Sequence, residues 1–279
     1  SFPFFSSIAS AMTLSTLLSI LRNYVKFVKI RTKIIKFRTM TKRTDIIWIE
    51  RVDSTNEEAK RHISDIDNLS VLSAFEQTAG RGQRGNTWLS NAGENLMFSI
   101  IVKFGHDSIE QLQAYDQFVI SEIAALSVVD LLAINDIEAK IKWPNDIYVG
   151  TEKICGILIE NSLSGSELSH SIIGMGLNVN QVEFDPSLPN PTSMQKISGK
   201  NYDTHSILEQ FTDIFKDYMD RYCHIKGGYG RLRKLYLAQM WRKDELSSFI
   251  NHRSEQLTEF KGTIRGLSDV GHMLIEDEE

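Results

Sequence analysis

Residues 108–134 hold the longest apolar stretch of helical period in the chain, with Leu112, Tyr115, Val119, Ile123 and Leu126 falling near one face. Strand-length apolar pieces crowd in on both sides of it: 46–50, 71–75 and 96–102 before, then 139–143, 147–149, 153–160 and 171–179 after. Parallel strands need a long crossover, usually a helix, whereas antiparallel strands need only a turn. Pieces this closely spaced on either side of one long helix predict an α+β fold, not a doubly wound parallel sheet. Ser54 followed by Glu57 has the signature of a capping box and places a short helix after the first strand. A further helix is predicted over 205–222, burying Leu208, Phe211, Ile214, Phe215 and Met219. The proline-bearing segment 181–200 reads as a surface excursion. The last forty residues break into about three short β pieces, with Gly262, Gly266 and Gly271 at the expected turns. That is too few strands for a closed small barrel.

Composition excludes several classes. Of 279 residues, 42% are hydrophobic and 24% charged, as in soluble globular chains rather than disordered or membrane-embedded ones. The two cysteines, Cys155 and Cys223, supply neither a disulfide framework nor a four-ligand zinc site, and a reducing compartment is expected. Charge is spread unevenly: residues 1–44 carry nine of the 31 Lys and Arg and none of the 36 Asp and Glu. The remainder is strongly acidic, so it has no overall attraction for nucleic acid, and any phosphate site must be local. The basic segment fits three readings: an organellar transit peptide, an amphipathic stretch on a membrane surface, or sequence upstream of an initiator at Met40. We prefer the last. Its apolar run from Leu14 to Leu21 is too short to span a bilayer.

Three stretches carry residues suited to chemistry. Gly80-Arg81-Gly82-Gln83-Arg84-Gly85 sets three glycines and two arginines in one loop. Glycine lets backbone N–H groups close around an anion, and guanidinium forks match phosphate or carboxylate. The spacing fits neither the P-loop nor the dinucleotide fingerprint, and a glycine-rich hairpin with solvated arginines is the plain alternative. Lys142-Trp143-Pro144-Asn145-Asp146 should end a strand, because proline cannot donate to a ladder, and should turn out Trp143, Asn145 and Asp146 together. Lys153 opens the next strand and, by simple alternation, shares a face with Cys155, Ile157 and Ile159. A lysine heading an apolar face is costly unless it meets an anion or snorkels at the strand end. In Gly174-Met175-Gly176-Leu177-Asn178, two glycines within a strand mark close approach of a ligand or another backbone, with a bulge as the alternative. The Asn178 amide suits the edge of a base or of another amide. The seven histidines show no metal-binding spacing, no nucleophile-elbow serine is present, and Cys155 reads as a small core residue.

Taken in order, five segments resemble the motifs of the biotin protein ligases. They are Asp53-Ser54-Thr55-Asn56, Gln77-Thr78-Ala79-Gly80-Arg81-Gly82, Lys142-Trp143-Pro144-Asn145-Asp146, Lys153 with Gly156-Ile157-Leu158, and Gly176-Leu177-Asn178. The resemblance extends over most of 45–279. It implies a mixed-sheet catalytic domain of the biotin/lipoate ligase type over 45–240, then an incomplete SH3-like β module over 241–279. It also implies a two-step reaction. Biotin and ATP give biotinyl-5′-AMP and pyrophosphate, and the biotinyl group then passes to one lysine of a biotin carboxyl carrier domain. Mg2+ would enter with the ATP phosphates.

By the same resemblance, Ser54, Thr55, Asn56 and Gln77 frame the biotin head group, with Gly82, Gln83, Gly156 and Gly176 completing the pocket. Arg81 and Arg84 cover carboxylate and phosphate, and Lys153 bridges the two. Trp143, Asn145 and Asn178 attend the nucleotide, while Asp146 assists Mg2+ or deprotonates the acceptor lysine. The expected enzyme is cytoplasmic, or organellar if 1–39 are a transit peptide, and a homodimer is compatible with it. DNA binding is not expected, because 1–44 are too short and too poorly patterned for a helix-turn-helix domain; nor is stable membrane association. Lipoate- and octanoate-handling relatives share the fold, but Gln77 ahead of Gly80-Arg81-Gly82 and the turn 143–146 favour biotin. A non-catalytic biotin-responsive protein would have no need of Lys153.

Where many family members carry a basic residue, this chain has Gln83, and where some do, Asn86. Less positive charge in the loop is expected to loosen its hold on an adenylate. Gln83→Arg should therefore slow release of biotinyl-adenylate, followed by chasing preformed adenylate off the protein; a release rate equal to that of the parent refutes the expectation.

Overall fold

Fifteen regular elements form two β-sheets and a set of helices in the residues that the computed structural model describes, 46–107, 109–223, 229–251 and 258–278. The basic segment 1–44 lies outside them. In order the elements are β1 (Ile46–Val52), α1 (Thr55–Arg61), β2 (Val71–Gln77), β3 (Leu96–Lys103), α2 (Phe118–Ile134), β4 (Lys140–Lys142), β5 (Asp146–Val149), β6 (Glu152–Ser164) and β7 (Glu167–Leu177). Then come α3 (Met194–Ser198), α4 (Thr204–Tyr222), α5 (Tyr229–Ala238), β8 (Leu246–Asn251), β9 (Thr258–Leu267) and β10 (Met273–Asp277). The large sheet runs β1-β2-β3-β7-β6-β5-β4. Only β1 and β2 pair in parallel, joined by the α1 crossover, and every other neighbour is antiparallel. This is the α+β class expected from the strand spacing, with the mixed sheet that the resemblance implies. The small sheet, β10-β9-β8, is antiparallel and agrees with an SH3-like module.

Alternation along β3 divides the interior. Leu96, Phe98, Ile100 and Val102 join the main core with α2 and α4, while Ile101 meets Ala59, Ile66, Leu72 and Ile172 in a second cluster under α1. Both faces are covered, which accounts for the near-continuous apolar run of β3. α2 is buried along most of its length, and apolar residues all round it suit that central position. α4 is amphipathic, burying Ile207, Leu208, Phe211, Phe215 and Met219. Its N-terminus is capped by Asp203, which accepts from the N–H groups of His205 and Ser206. Phe211 meets Phe98 edge-on at 5.1 Å between ring centroids, joining α4 to the sheet.

The structure departs from expectation in four places. The long helix does not start near residue 108; Ser108 is outside the described residues, and α2 begins at Phe118. Ahead of it the backbone pairs with the start of β7 instead, through Leu168 N–H to Leu112 O and Ala114 N–H to Ser166 O. Leu112 and Tyr115 mimic helical spacing, but tertiary pairing wins, leaving Tyr115 exposed. Segment 181–200 is not a mere excursion: it carries α3, and Thr192, Ser193 and Met194 are buried. Gly262 and Gly266 lie inside β9 rather than at turns; at Gly262 a Cβ would come within 2.6 Å of Ile275 Cγ2 on β10. Gly271 does occupy a turn, at φ +85°. Finally, α5 was not foreseen, since its apolar spacing is interrupted by Arg231, Arg233 and Lys234.

Phe211→Ala should cost about 3–5 kcal/mol by opening a cavity between α4 and β3. Urea unfolding should show a lower midpoint with unchanged slope, and a shift of less than 1 kcal/mol would refute the placement of this ring at the core.

Candidate active site

The N-terminus of α1 supplies one end of the site. Ser54 is the N-cap residue, but its hydroxyl caps nothing, and its N–H donates to Asp53 Oδ1 at 2.8 Å. Glu57 turns toward Lys60 Nζ, 2.9 Å away, and toward Arg81, so the reciprocal capping box does not form. Thr55 N–H instead donates to Gln77 Oε1 at 2.8 Å. Ser99 Oγ lies 2.7 Å from Thr55 Oγ1 and 2.6 Å from Asn56 Oδ1. A hydroxyl has one proton, so Ser99 donates to the amide oxygen and Thr55 donates to Ser99. Asn56 Nδ2 donates to Glu160 Oε2 at 2.8 Å and Leu158 O at 3.3 Å, which fixes the amide from both ends. Sequence reasoning missed Ser99; its only signal is one hydroxyl within the apolar run of β3.

Glycines make the floor. Gly156 on β6 is the register partner of Gly176 on β7, and Leu158 that of Gly174. A Cβ at Gly174 would overlap the Asn56 amide, and one at Gly176 would overlap the Trp88 indole. At Gly156 it would fall 2.8 Å from Trp88 Cζ3. The glycine-rich loop folds as a tight hairpin, with Trp88 N–H to Gly80 O at 2.9 Å and Gly82 N–H to Asn86 O at 2.7 Å. At its tip Arg84 and Gly85 are left-handed, φ 56° and 81°. The hairpin lays Trp88 on the glycine floor with Nε1 buried and unpartnered. Trp88 was also missed, because an aromatic after a glycine loop has no address until the hairpin closes.

Lys153 stands at the other end. Its Nζ is 2.7 Å from Asp146 Oδ1 and 5.5 Å from the centroid of the Trp88 ring. The expected shared face with Cys155, Ile157 and Ile159 is wrong. A register shift between Ile147 and Tyr148 pairs Cys155 with Ile147 but Lys153 with Tyr148, leaving Ile154 as the extra residue. The bulge sends Cys155 and Ile157 into the core, while Lys153 Nζ lies 3.3 Å from where a Gly156 Cβ would be. Burial pushes the Cys155 thiol far above its usual range, which leaves it a core residue rather than a nucleophile. Asn145 Nδ2 donates to Ile157 O at 2.9 Å, holding the turn that carries Asp146.

These parts surround a cleft of about 370 Å3. It is lined by Ser54, Thr55, Asn56, Gln77, Arg81, Gly82, Gln83, Arg84, Trp143, Asn145, Asp146, Lys153, Gly156 and Gly176. Asn178 is the expected site residue that does not line it. Buried, it donates from Nδ2 to Thr192 O at 2.9 Å, and its carbonyl accepts from Met194 N–H. Arg81 lines the cleft, yet its guanidinium is tied to Glu57 and, at 3.0 Å, to Glu160. Burial alone would raise the Glu160 carboxyl, but hydrogen bonds from Lys60 and Asn56, with Arg81 nearby, outweigh it and bring it below the usual range. Arg84 is exposed at the hairpin tip and makes no ion pair among the described residues. No cluster of three or more His, Cys, Asp or Glu that could hold a metal occurs among the described residues.

A glycine-floored cleft, with a polar clamp at one end and a lysine at the other, is thus set on the mixed sheet. The sequence model of the biotin/lipoate A/B protein ligase family matches residues 48–178 of this chain. Within it, the similarity is to biotin protein ligases. The bifunctional ligase/repressor BirA of Bacillus spizizenii is 32% identical over 216 residues, 75% of this chain and 62% of that protein. The biotin–[acetyl-CoA-carboxylase] ligase of Paracoccus denitrificans is 29% identical over 237 residues, 81% of this chain and 92% of that one. Among solved structures, the biotin protein ligase of Aquifex aeolicus in complex with biotin and ATP superposes with a TM-score of 0.68 at 28% identity, covering 84% of this chain and 92% of that one. The chain thus spans less than two thirds of its Bacillus relative and nearly all of the other two.

Gly176→Ala should force the Trp88 indole off the floor at a cost of about 1–3 kcal/mol. Trp88 emission, isolated by difference against Trp88→Phe, should move on substitution; unchanged emission and stability would refute the contact.

Proposed function

We propose that this protein is an ATP-dependent biotin protein ligase, forming biotinyl-5′-AMP and passing biotin to a lysine of a biotin carrier domain. The observation that carries the reading is the polarity of the cleft. Uncharged donors and acceptors gather at the Ser54–Asn56 and Gln77 end, an ammonium stands at the other, and between them lies an apolar stretch made by the glycine floor and the Trp88 indole laid on it. A ureido head group, an apolar tail and a terminal carboxylate have the same order.

In the first step a carboxylate oxygen of biotin attacks the α-phosphorus of ATP, the bond to the bridging oxygen breaks, and pyrophosphate leaves. Both reactants are anions, so the barrier is one of repulsion and alignment. Lys153 lies between them and offsets both charges. The backbone N–H groups of the hairpin at Gly82 and Gln83, with Arg84 at its tip, add donors for the carboxyl and phosphate oxygens. Trp143 and Asn145 form the nucleotide side of the cleft. Asp146, the one carboxylate lining the cleft among the described residues, would be the protein's contact to a Mg2+ held mainly by the ATP phosphates, which would supply charge neutralisation there. Arg81 serves through its ion pairs, holding the hairpin to α1 and β6. Asn178 serves behind the cleft rather than against the adenine.

In the second step the neutral amine of the acceptor lysine attacks the acyl carbon, the bond to the phosphate oxygen breaks, and AMP leaves. The amine must first lose a proton. Once an anionic substrate engages Lys153, Asp146 is freed as a carboxylate at the right place to accept it. The catalytic portion extends over 45–240, and 241–279 form the C-terminal module. The acceptor is a biotin carboxyl carrier domain.

Lys153→Ala should reduce biotin-dependent pyrophosphate release by at least about a hundredfold with an unchanged circular-dichroism spectrum. The assay pairs biotin or lipoate with a biotin carrier domain or a lipoyl domain. Labelling of the lipoyl domain alone would overturn the biotin assignment, and retained pyrophosphate release by Lys153→Ala would overturn the role of the lysine.

A further inference from the structure

Away from the cleft, a carboxylate is buried beside the junction with the C-terminal module. Glu122 on α2 is 0% exposed, and its Oε1 accepts from Arg233 Nε on α5. Its Oε2 has no hydrogen-bond partner, and neither has the nearby buried Tyr236 hydroxyl. Burial pushes the Glu122 carboxyl up to about 7 against the pull of Arg233. As a source of stability this is a poor arrangement, since buried ion pairs rarely repay their desolvation and this one is half satisfied.

What the pair does achieve is orientation. With Nε on Glu122, the planar guanidinium directs Nη1 to Ser268 O at 2.5 Å and Nη2 to Asp269 O at 3.3 Å. The Phe118 ring lies 5.3 Å from Arg233 Cζ and also packs on Gly271, where any Cβ would overlap it. Arg233 and Phe118 thus grip the turn 268–272 from two sides, and Gly271 N–H to Ser268 O at 2.9 Å closes the turn on itself. The Gly271 carbonyl then accepts from Trp143 Nε1 at 2.9 Å. Trp143 lines both the main cleft and a neighbouring cavity of about 290 Å3, as do Gln83, Pro144, Asn145 and Ile157. It is followed by Pro144, Asn145 and the Asp146 that pairs with Lys153.

We propose that Arg233, aimed by Glu122, is a positioning residue that fixes Trp143 on the nucleotide side of the cleft through the turn 268–272. The nucleotide side is named on the strength of the ligase reading above; the fixing of Trp143 is independent of it. Removing Arg233 alone would strand the Glu122 charge, so the test uses Glu122→Gln with Arg233→Met, which removes both charges at similar volume. The first readout is hydrogen exchange of the Trp143 indole N–H, assigned by its loss in Trp143→Phe. The second is KM for ATP against KM for biotin in pyrophosphate release, with thermal melting measured alongside.

In the double variant the Trp143 indole should exchange on the order of 10-fold faster or more. KM for ATP should rise by roughly 10- to 100-fold while KM for biotin stays within about twofold. Added to Trp143→Phe, the double variant should give no further rise. Unchanged indole exchange overturns the proposal, and so does faster exchange with an unchanged KM for ATP. A lowered melting temperature with proportionate changes in both KM values would also overturn it, by making the pair merely structural. If the parent protein shows no biotin-dependent turnover, the ligase reading fails, and indole exchange still decides whether Arg233 fixes Trp143.

Discussion

The cleft exists because one face of β6 and β7 carries no Cβ at positions 156, 174 and 176. A strand presents a side chain to each face at every second residue, so three glycines on paired rungs open a strip of bare backbone. Two neighbours depend on it directly: the Asn56 amide lies against Gly174, and the Trp88 indole lies across Gly156 and Gly176. The backbone beneath is fully laddered between β6 and β7, so the strip is rigid although it is made of glycine. Thr55, Asn56 and Ser99 can be buried above it because each finds partners. An unsatisfied hydroxyl or amide there would cost about 1–3 kcal/mol. The result is a polar clamp whose geometry is set before any ligand arrives.

Two of the cations lining the cleft, Arg81 and Lys153, are held differently. Arg81 is shared by carboxylates on α1 and β6, and Lys60 braces the same Glu160 at 2.8 Å. Displacing Arg81 would release the hairpin from two elements at once, so its guanidinium is best placed as a tether. Lys153 has a single carboxylate partner, Asp146. A part-exposed pair of this kind is worth little, and a phosphate bearing more than one negative charge can outcompete it. The resting ion pair is therefore easily exchanged, and exchange changes both partners: the lysine gains an anion, and the aspartate loses its counter-ion.

Most strands, α1 and α4 were legible because each rests on local signals: alternation, helical spacing, glycine and proline. The cleft was legible as a set of motifs, since glycine loops and a lysine heading a strand are unusual in local terms. Failures came where a distant segment decides the outcome. Leu112 and Tyr115 have helical spacing, but the backbone there is claimed by β7. Lys153 has the wrong parity for the cleft, and only a bulge against β5 corrects it. Ser99 and Trp88 carry no local signal; one acquires a role from α1 and the other from the floor it covers. Asn178 was legible as an amide of consequence, but whether it faces a base or a carbonyl is settled by residue 192.

That last residue pair shows how Lys153 is kept at the edge of a sheet. The final rung between β6 and β7 joins Cys155 to Leu177, so Lys153 lies beyond β7 and would have an unpaired edge on that side. The returning segment takes the place of the missing strand: Lys153 N–H donates to Asn190 O at 2.7 Å, and Thr192 N–H donates to Lys153 O at 2.9 Å. Asn178, the first residue past β7, binds this substitute by its side chain to Thr192 O and by its main-chain carbonyl to Met194 N–H, while its own N–H donates to Ile154 O on β6. A short bulged strand end would otherwise fray, and a lysine on a fraying end could not hold a fixed position in the cleft. The bulge turns Lys153 toward the cleft, and the segment behind it keeps it there, so the value of Asn178 lies in making a strand end behave like a strand interior.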